Sequence, residues 1–502
     1  MATAFAVDIL SLERDTAVPL QTQLYRTLRE AILQGRLRPG LRLPATRVLA
    51  RDLRIARNTV VAVFEQLVAE GYLEARVGSG TVVAQLAPEM LLHAQPAAQR
   101  TAAGEKPQLS RRGAALAAIR RASPVTPSRA FQVGLPAVDH FPIDLWARLL
   151  ARRVRTPTRS ALGYDYAAGY PPLCEAVAQY LGAARGVVCR PEQVIVVAGA
   201  QAGLDLACHL LLDPGDAAWI EEPGYVGARG ALIAASATLV PVPVDDEGLD
   251  VAAGARRAPR ARLAYTSPSH QLPLGVTTSL GRRLQLLDWA TRAGAWILED
   301  DYDSEYRYGG RPLAAMQGID ATGRVIYVGT FSKTLFPALR VGYLVVPPAL
   351  VEPFSVAMRH TGHSAPVAVQ AALADFIADG YFAAHVRRMR VLYATRQARL
   401  LRAAKKHLTG LVDMRPAEAG MHLVAELPVG TDDVAVTARA LDAGVVVRPL
   451  SSHYLERPAR FGILLGYAGV AEREIDRGVE QLAPVLHAHG RRRMQAGVRS
   501  RS

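Results

Sequence analysis

Arginine supplies nearly all the positive charge of this 502-residue chain: of 59 basic residues only Lys106, Lys333, Lys405 and Lys406 are lysines. Lys333 is alone between residues 107 and 404, in the stretch VGTFSKTLFPALRVGYLVV, just past the apolar run RVIYVGT. An amine held at a rigid strand end, with hydroxyls and a cation beside it, can condense with a carbonyl and hold a phosphate nearby. Thr330, Ser332 and Arg340 are those neighbours. The bland alternative is an exposed lysine, against which stands a sequence that uses arginine almost everywhere else.

Upstream, ILEDDYDSEY ends a second apolar run in carboxylates. A pyridine ring draws electrons when its nitrogen stays protonated, and a buried carboxylate beside that nitrogen enforces it. Asp300 is the candidate, with Tyr302 placed for a ring hydroxyl. A metal-binding acidic cluster is the alternative, but no histidine accompanies it at ligand spacing, so no metal is expected. VVAGAQAGLDLACHLL reads as strand, glycine-containing turn and helix start, where the amides of Ala200 and Gln201 can hold phosphate. As a lone motif that turn is weak. In EEPGYVGAR, Tyr225 follows the next strand, where its ring can stack on a planar ligand; otherwise it is a core tyrosine.

These residues need a frame. From residue 130 onward short Val/Ile-rich runs alternate with helical segments, the pattern of an α/β domain with a mostly parallel sheet. After about 350 the pattern becomes more helical and closes with LVAEL, GVVVRPL and FGILLGYA, which predicts a smaller C-terminal α+β lobe. Residues 85–128, rich in Ala, Pro, Gln, Ser and Arg, read as a flexible linker with a helical stretch at 109–122. The expected layout is a multidomain chain: a head at 12–84, the linker at 85–128, the body at 129–488 and a basic tail at 489–502.

The head has its own pattern. Leu20, Leu24, Leu28, Ile32 and Leu33 line one face of a first helix closed by Gly35. Thr46 is placed to cap a second helix, and a third begins near Asn58-Thr59 and stops at Gly71. YLEARVGSGTVVA then reads as two strands around Gly78-Ser79-Gly80. Three helices and a hairpin make a winged helix-turn-helix, whose third helix enters the major groove of DNA. Arg57, Asn58 and Thr59 stand at its N-terminal end for base readout, and Arg42, Arg47 and Arg76 are placed for backbone phosphate. Residues 1–129 carry 18 Lys and Arg against 10 Asp and Glu, a net of +8, and residues 491–502 add +5. The formal total of +14 leaves +1 for residues 130–490. Charge concentrated at the ends suggests a polyanion partner for the head, although a solvated basic surface has the same count.

LPATRVLARDLRIARNTVVAVFEQLVAEGYLEARVGSGTVV closely resembles the GntR-type winged helix domain, with Ala45 and Thr46 where that family often has Glu and Ser. GAQAGLDL, EEPGY, TSPSHQLPLG, EDDYDSEYRYGGRPL and GTFSKTLFPALRVGY, in that order over residues 130–485, resemble a fold-type I aminotransferase. Together the two parts resemble the MocR-type regulators, GntR-type heads fused to aminotransferase-like bodies. The resemblance implies pyridoxal 5′-phosphate (PLP) as cofactor, Lys333 as its Schiff-base lysine, Asp300 at the pyridine nitrogen, Tyr302 at the phenolic oxygen and Tyr225 stacking. It implies phosphate binding by Thr330, Arg340, Ala200 and Gln201. Where ordinary aminotransferases carry Asn-Pro-x-Gly this chain has His270-Gln271-Leu272-Pro273-Leu274-Gly275, so His270 or Gln271 stands in for that asparagine. FGILLGYA lacks their substrate-carboxylate arginine; Arg460 and Arg448 are the nearest candidates, and Ser451-Ser452-His453-Tyr454 has no arginine either.

The function so implied is a cytoplasmic, homodimeric, DNA-binding transcription regulator. Its body senses PLP or a PLP–amine adduct and modulates binding at promoter half-sites. The alternatives are an active aminotransferase with an accessory DNA-binding head, and a scaffold that holds PLP structurally. Three cysteines in 502 residues make no disulfide framework. The sequence predicts neither a membrane span nor a secretory signal.

Overall fold

The computed structural model describes residues 12–14, 16, 18–76, 80–85, 109–119, 130–309 and 314–499, with side chains as far as residue 488. It divides into two compact units, up to Gln108 and from Leu109. In the first, α1 (Leu20–Leu33), α2 (Thr46–Asp52) and α3 (Arg57–Ala69) precede the antiparallel pair β1 (Leu73–Arg76) and β2 (Gly80–Val83). The apolar spacing in α1 buries Leu24, Leu28 and Ile32 against Leu49, Val60, Val63 and Leu67 of the other two helices. Thr46 is the first residue of α2 and makes no cap; Ala45 holds the cap position without a side-chain bond. The expected hairpin turn at 78–79 and the Arg76 side chain lie outside the described residues.

The second unit opens with α4 (Arg111–Ala118), capped by Ser110. The helices that follow are α5 (Ile143–Arg155), α6 (Pro171–Arg185), α7 (Ala200–Leu211), α8 (Val226–Ala234), α9 (Val251–Arg257) and α10 (Leu280–Ala293). Then come α11 (Val351–Thr361), α12 (Val367–Ala378), α13 (Tyr381–His407), α14 (Asp433–Asp442) and α15 (Glu472–Arg499). The large sheet uses β3 (Val194–Val197), β4 (Ala217–Glu222), β5 (Thr238–Asp245), β6 (Gly248–Leu249), β7 (Leu263–Thr266), β8 (Trp296–Asp301), β9 (Val325–Thr330) and β10 (Gly342–Val345). Its order is β3-β10-β9-β8-β7-β4-β5-β6, with β5, β4, β7, β8 and β9 parallel and β10 antiparallel to both neighbours. Helices cover both faces, so the central strands are buried and mostly apolar, with carboxylates only at the C-terminal ends of β4 and β8.

The smaller lobe is an antiparallel sheet, β11 (Asp413–Met414), β12 (His422–Leu427), β13 (Arg448–Pro449) and β14 (Phe461–Gly466), ordered β11-β12-β14-β13. Phe131 bridges to Gly466 and is fully buried there, so the first residues of the body are pinned to this lobe. Two expectations change. Part of the supposed linker is docked: α4 packs on α8, with Gly113, Leu116 and Ile119 half-buried and Ile119 Cδ1 lying 3.7 Å from where a Cβ on Gly230 would sit. The basic tail is no separate piece, because α15 runs on to Arg499. Among the described residues no single helix is long and apolar enough to cross a membrane.

Trp219 and Trp289 stack at 3.7 Å between ring centroids beneath β4. Trp219→Ala should destabilise the second unit by about 3–5 kcal/mol, read as a lowered midpoint in denaturant. The first unit has its own core, so its transition should not move.

Candidate functional site

All the parallel strands end at one edge of the large sheet, where ligands of open α/β sheets bind. A cavity of about 280 Å³ opens there. Its wall carries Lys333, Asp300, Tyr302, Tyr225, Ala200, Gln201, Thr330, Ser332 and Arg340, so the residues proposed from sequence to hold the cofactor come together except at the asparagine position.

The exception is His270. It lies behind Tyr302, its Nδ1 3.0 Å from the Tyr302 hydroxyl, while Leu272 occupies the wall. Gln271 does not reach the cavity either. Its amide donates to Glu221 and to the carbonyls of Pro223 and Leu272, and its Oε1 accepts from Leu274 N. It organises its own loop. Neither residue stands where an asparagine could touch a ring directly.

Alternation along β8 sorts the carboxylates. Glu299 accepts from the amides of Met316 and Gln317, and Asp301 pairs with Arg185 at 2.8 Å. Asp300, on the opposite face, accepts from the Tyr265 hydroxyl at 2.7 Å through Oδ2, while its buried Oδ1 has no partner. Burial pushes its carboxyl up to about 7, against the bond from Tyr265. A buried acceptor without a donor is costly, and its residue lines the cavity. Tyr265 was not foreseen; its place on β7 beside β8 was the available signal.

Lys333 follows β9, its backbone carbonyl held by the Tyr306 hydroxyl at 3.4 Å. Its Nζ donates to the carbonyl oxygen of Gly134 at 2.8 Å. Gly134 has φ +78°, a backbone conformation that favours glycine, and a Cβ there would lie 2.7 Å from that nitrogen and displace it. Nothing in the sequence marks Gly134 as a partner of Lys333. Burial, and next the charge of Arg448, lower the amine to about 8. Arg448 itself lines the cavity from β13, half-buried, with Nε unpartnered. The other candidate, Arg460, is paired with Glu426.

At the far end, α7 points its N-terminus into the cavity. Gly199, φ +96°, is its cap, and first-turn amides have no partner within a helix. The Arg340 guanidinium carbon lies 3.8 Å from where a Cβ of Gly199 would be. Ser332 N donates to Thr330 Oγ1 at 3.2 Å. Amides, hydroxyls and a guanidinium therefore meet in one corner, the donor set of an oxyanion site. Tyr225 caps α8, and burial pushes its phenol up to about 12. Asp303, Met421 and His422 complete the wall unforeseen. Among the described residues no group of His, Cys, Asp or Glu is arranged to hold a metal.

In the first unit Arg57 and Asn58 are exposed and Thr59 half-buried at the start of α3, and Arg42 and Arg47 are exposed. The Arg42 side chain lies against the start of β2, its Nε 3.3 Å from where a Cβ of Gly80 would be.

Residues 132–482 match the aminotransferase class I and II family, and residues 20–83 the gntR family of bacterial regulatory proteins. The chain is 46% identical over 474 residues to the probable rhizopine catabolism regulatory protein MocR of Rhizobium meliloti, covering 94% of this chain and 95% of that one. It is 30% identical over 466 residues to the pyridoxine biosynthesis transcriptional regulator PdxR of Corynebacterium glutamicum, covering 91% and 93%. Among solved structures, the kynurenine aminotransferase of Pyrococcus horikoshii superposes with a TM-score of 0.67 at 28% identity, covering 76% of this chain and 95% of that one. The α-aminoadipate aminotransferase LysN of Thermus thermophilus superposes with a TM-score of 0.66 at 30% identity, covering 72% and 92%.

The lowered amine makes a direct prediction. Reductive methylation of Lys333 by formaldehyde, read by mass spectrometry, requires the unprotonated amine and should rise with pH through a midpoint near 8. A midpoint near the ordinary lysine value would contradict the burial argument.

Proposed function

The chain belongs to the MocR-type regulators of the GntR family, and on that premise we propose that its body binds pyridoxal 5′-phosphate at Lys333. Occupancy of that cavity, by the cofactor alone or with a small amine, changes how the heads hold promoter DNA. Two relatives are named for different pathways, pyridoxine biosynthesis and rhizopine catabolism. The reading therefore rests on the cavity and leaves the pathway open.

The observation that carries it is the bond from Lys333 Nζ to Gly134. Gly134 lies on the segment leading from the linker, three residues after Phe131, whose carbonyl accepts from Gly466 N of the smaller lobe at 2.9 Å. A free ammonium has three donors; condensation with an aldehyde, with release of a proton and of the carbonyl oxygen as water, would leave at most one N–H. Capture at Lys333 thus weakens the hold on the segment that joins lobe and linker. Bound PLP supplies the aldehyde that amines attack and a ring that takes up electrons.

The chain's own residues fit that group. Asp300 Oδ1 is the missing partner for a ring N–H, and Tyr225 offers its ring face. Thr330, Ser332, Arg340 and the first amides of α7 hold phosphate. Arg448, half-buried in the cavity wall with no carboxylate paired to it among the described residues, supports an anionic group on the bound amine. The same arginine favours a second reading, transamination of an amino acid, which steady-state assay of amino donors with 2-oxo acids separates from pure sensing. We read the chain as a regulator and not an enzyme. A homodimer with two heads reads paired half-sites, so light scattering at micromolar concentration should give twice the chain mass.

Three outcomes test the reading. Borohydride reduction after PLP addition should leave a covalent adduct at Lys333, absent in Lys333→Ala; an adduct in that variant, or at Lys405 or Lys406, sinks the assignment. Titrating PLP, then PLP with candidate amines, should change operator affinity by a typical coupling of about 5–150-fold, and Lys333→Ala and Asp300→Ala should blunt the change. If affinity, bending and promoter output all stay fixed, the sensor reading fails. Operator binding should fall about 10³-fold or more between 50 and 200 mM salt if six or more phosphates are contacted. Arg57→Ala should reduce sequence preference, whereas Arg42→Ala should weaken all sequences alike.

A further inference from the structure

Three side chains meet at the cavity wall: Tyr302 and Asp303 line it, and His270 lies behind them with no contact of its own to the cavity. His270 Nδ1 sits 3.0 Å from the Tyr302 hydroxyl and 3.1 Å from each carboxylate oxygen of Asp303. The His270 and Asp303 side chains are 2% and 1% exposed. His270 Nε2 is buried with no partner. The space is closed: Gly420 has φ +95°, and a Cβ there would lie 1.9 Å from His270 Cε1.

A histidine nitrogen has one in-plane position, holding either a proton or a lone pair. A lone pair on Nδ1 would point at the Asp303 carboxylate, acceptor against acceptor. A proton on Nδ1 satisfies Asp303 and reaches the tyrosine oxygen as well. It also leaves Nε2 as a bare acceptor, where the other tautomer would bury an unpartnered N–H in the same closed space. With Nδ1 as donor, the tyrosine oxygen accepts, so its own hydrogen must point elsewhere. Tyr302 lines the cavity, and that is the direction left.

We infer that His270 and Asp303 are a positioning pair that fixes the Tyr302 hydroxyl as a hydrogen-bond donor into the cavity, toward a ring oxygen of the bound cofactor. The inference rests on the pyridoxal reading for what receives the bond, but the tautomer does not. It assigns the His-Gln-Leu-Pro segment a role that no direct contact provides: His270 acts through Tyr302, and Leu272 fills the wall. The titratable groups acting on the Tyr302 hydroxyl are His270, which bonds to it, Asp300, Asp301 and Asp303 around its own strand end, and Glu221 from β4; Lys333, His422 and Arg448 line the same cavity.

The test follows the visible band of bound PLP as a function of pH. A donor at the ring oxygen withdraws charge from it, so losing the donor makes the bound chromophore hold its proton more tightly. His270→Leu and Tyr302→Phe should each raise the midpoint by about one pH unit, on the scale of one hydrogen bond. His270→Asn, whose amide can still donate to both oxygens, should stay near wild type. The double variant should shift no further than either single one. An unchanged midpoint in His270→Leu, or additive shifts, would overturn the proposal. Nitrogen NMR of the ligand-free chain, with His270→Asn identifying the signal, decides independently of folding or loading of the variants: a protonated Nδ1 and bare Nε2 support the pair, and the reverse refutes it. Failure of the pyridoxal reading is seen separately, as absence of a reducible adduct at Lys333 in the wild type.

Discussion

The bond between Lys333 and the Gly134 carbonyl ties the end of the large sheet to the segment that enters the body. Lys333 belongs to the end of β9 in the large sheet. Gly134 belongs to the entering segment, and that segment is tied to the smaller lobe through Phe131 and Gly466. On the proposed reading, a covalent event at the amine would act on the sheet and, through Phe131, on the smaller lobe. Glycine at 134 is what lets the backbone come that close.

Around this bond the charges are arranged to meet a ligand. Asp300 keeps one oxygen without a donor, Arg448 keeps one nitrogen without an acceptor, and the start of α7 keeps its amides. Burial drives the Asp300 carboxyl up and the Lys333 amine down, so both shifts work against charge separation in the absence of a ligand. A molecule that brings a ring N–H, an oxyanion and a second anionic group satisfies all of them at once. Such groups are poor investments in folding stability, and a site that leaves three of them waiting is built for binding.

Much of this was legible in the sequence, for identifiable reasons. Lys333 stands out because lysine is scarce, and Asp300 because a run of carboxylates closes an apolar strand; strand alternation then decides between Asp300 and Asp301. The winged helix was legible because helix stops at Gly35 and Gly71 follow from the left-handed backbone those positions adopt. Other features depend on long-range packing that no local pattern records. Gly134 approaches Lys333 across 199 positions of chain. The side chain that sequence placed near the ring, His270, is one layer too deep, because Leu272 rather than its neighbours takes the wall. The docking of α4 on α8 was hidden for a similar reason: composition marked residues 85–128 as linker, but three side positions of one short helix suffice to seat part of it.

The central claim is that capture at Lys333 loosens the segment that connects body and linker. Amide hydrogen exchange over residues 130–137, measured with and without PLP, tests it most directly. The account predicts faster exchange in this segment when PLP is bound by the wild-type chain, with no change in Lys333→Ala. Exchange that stays the same in the wild type while PLP is demonstrably attached to Lys333 would contradict it.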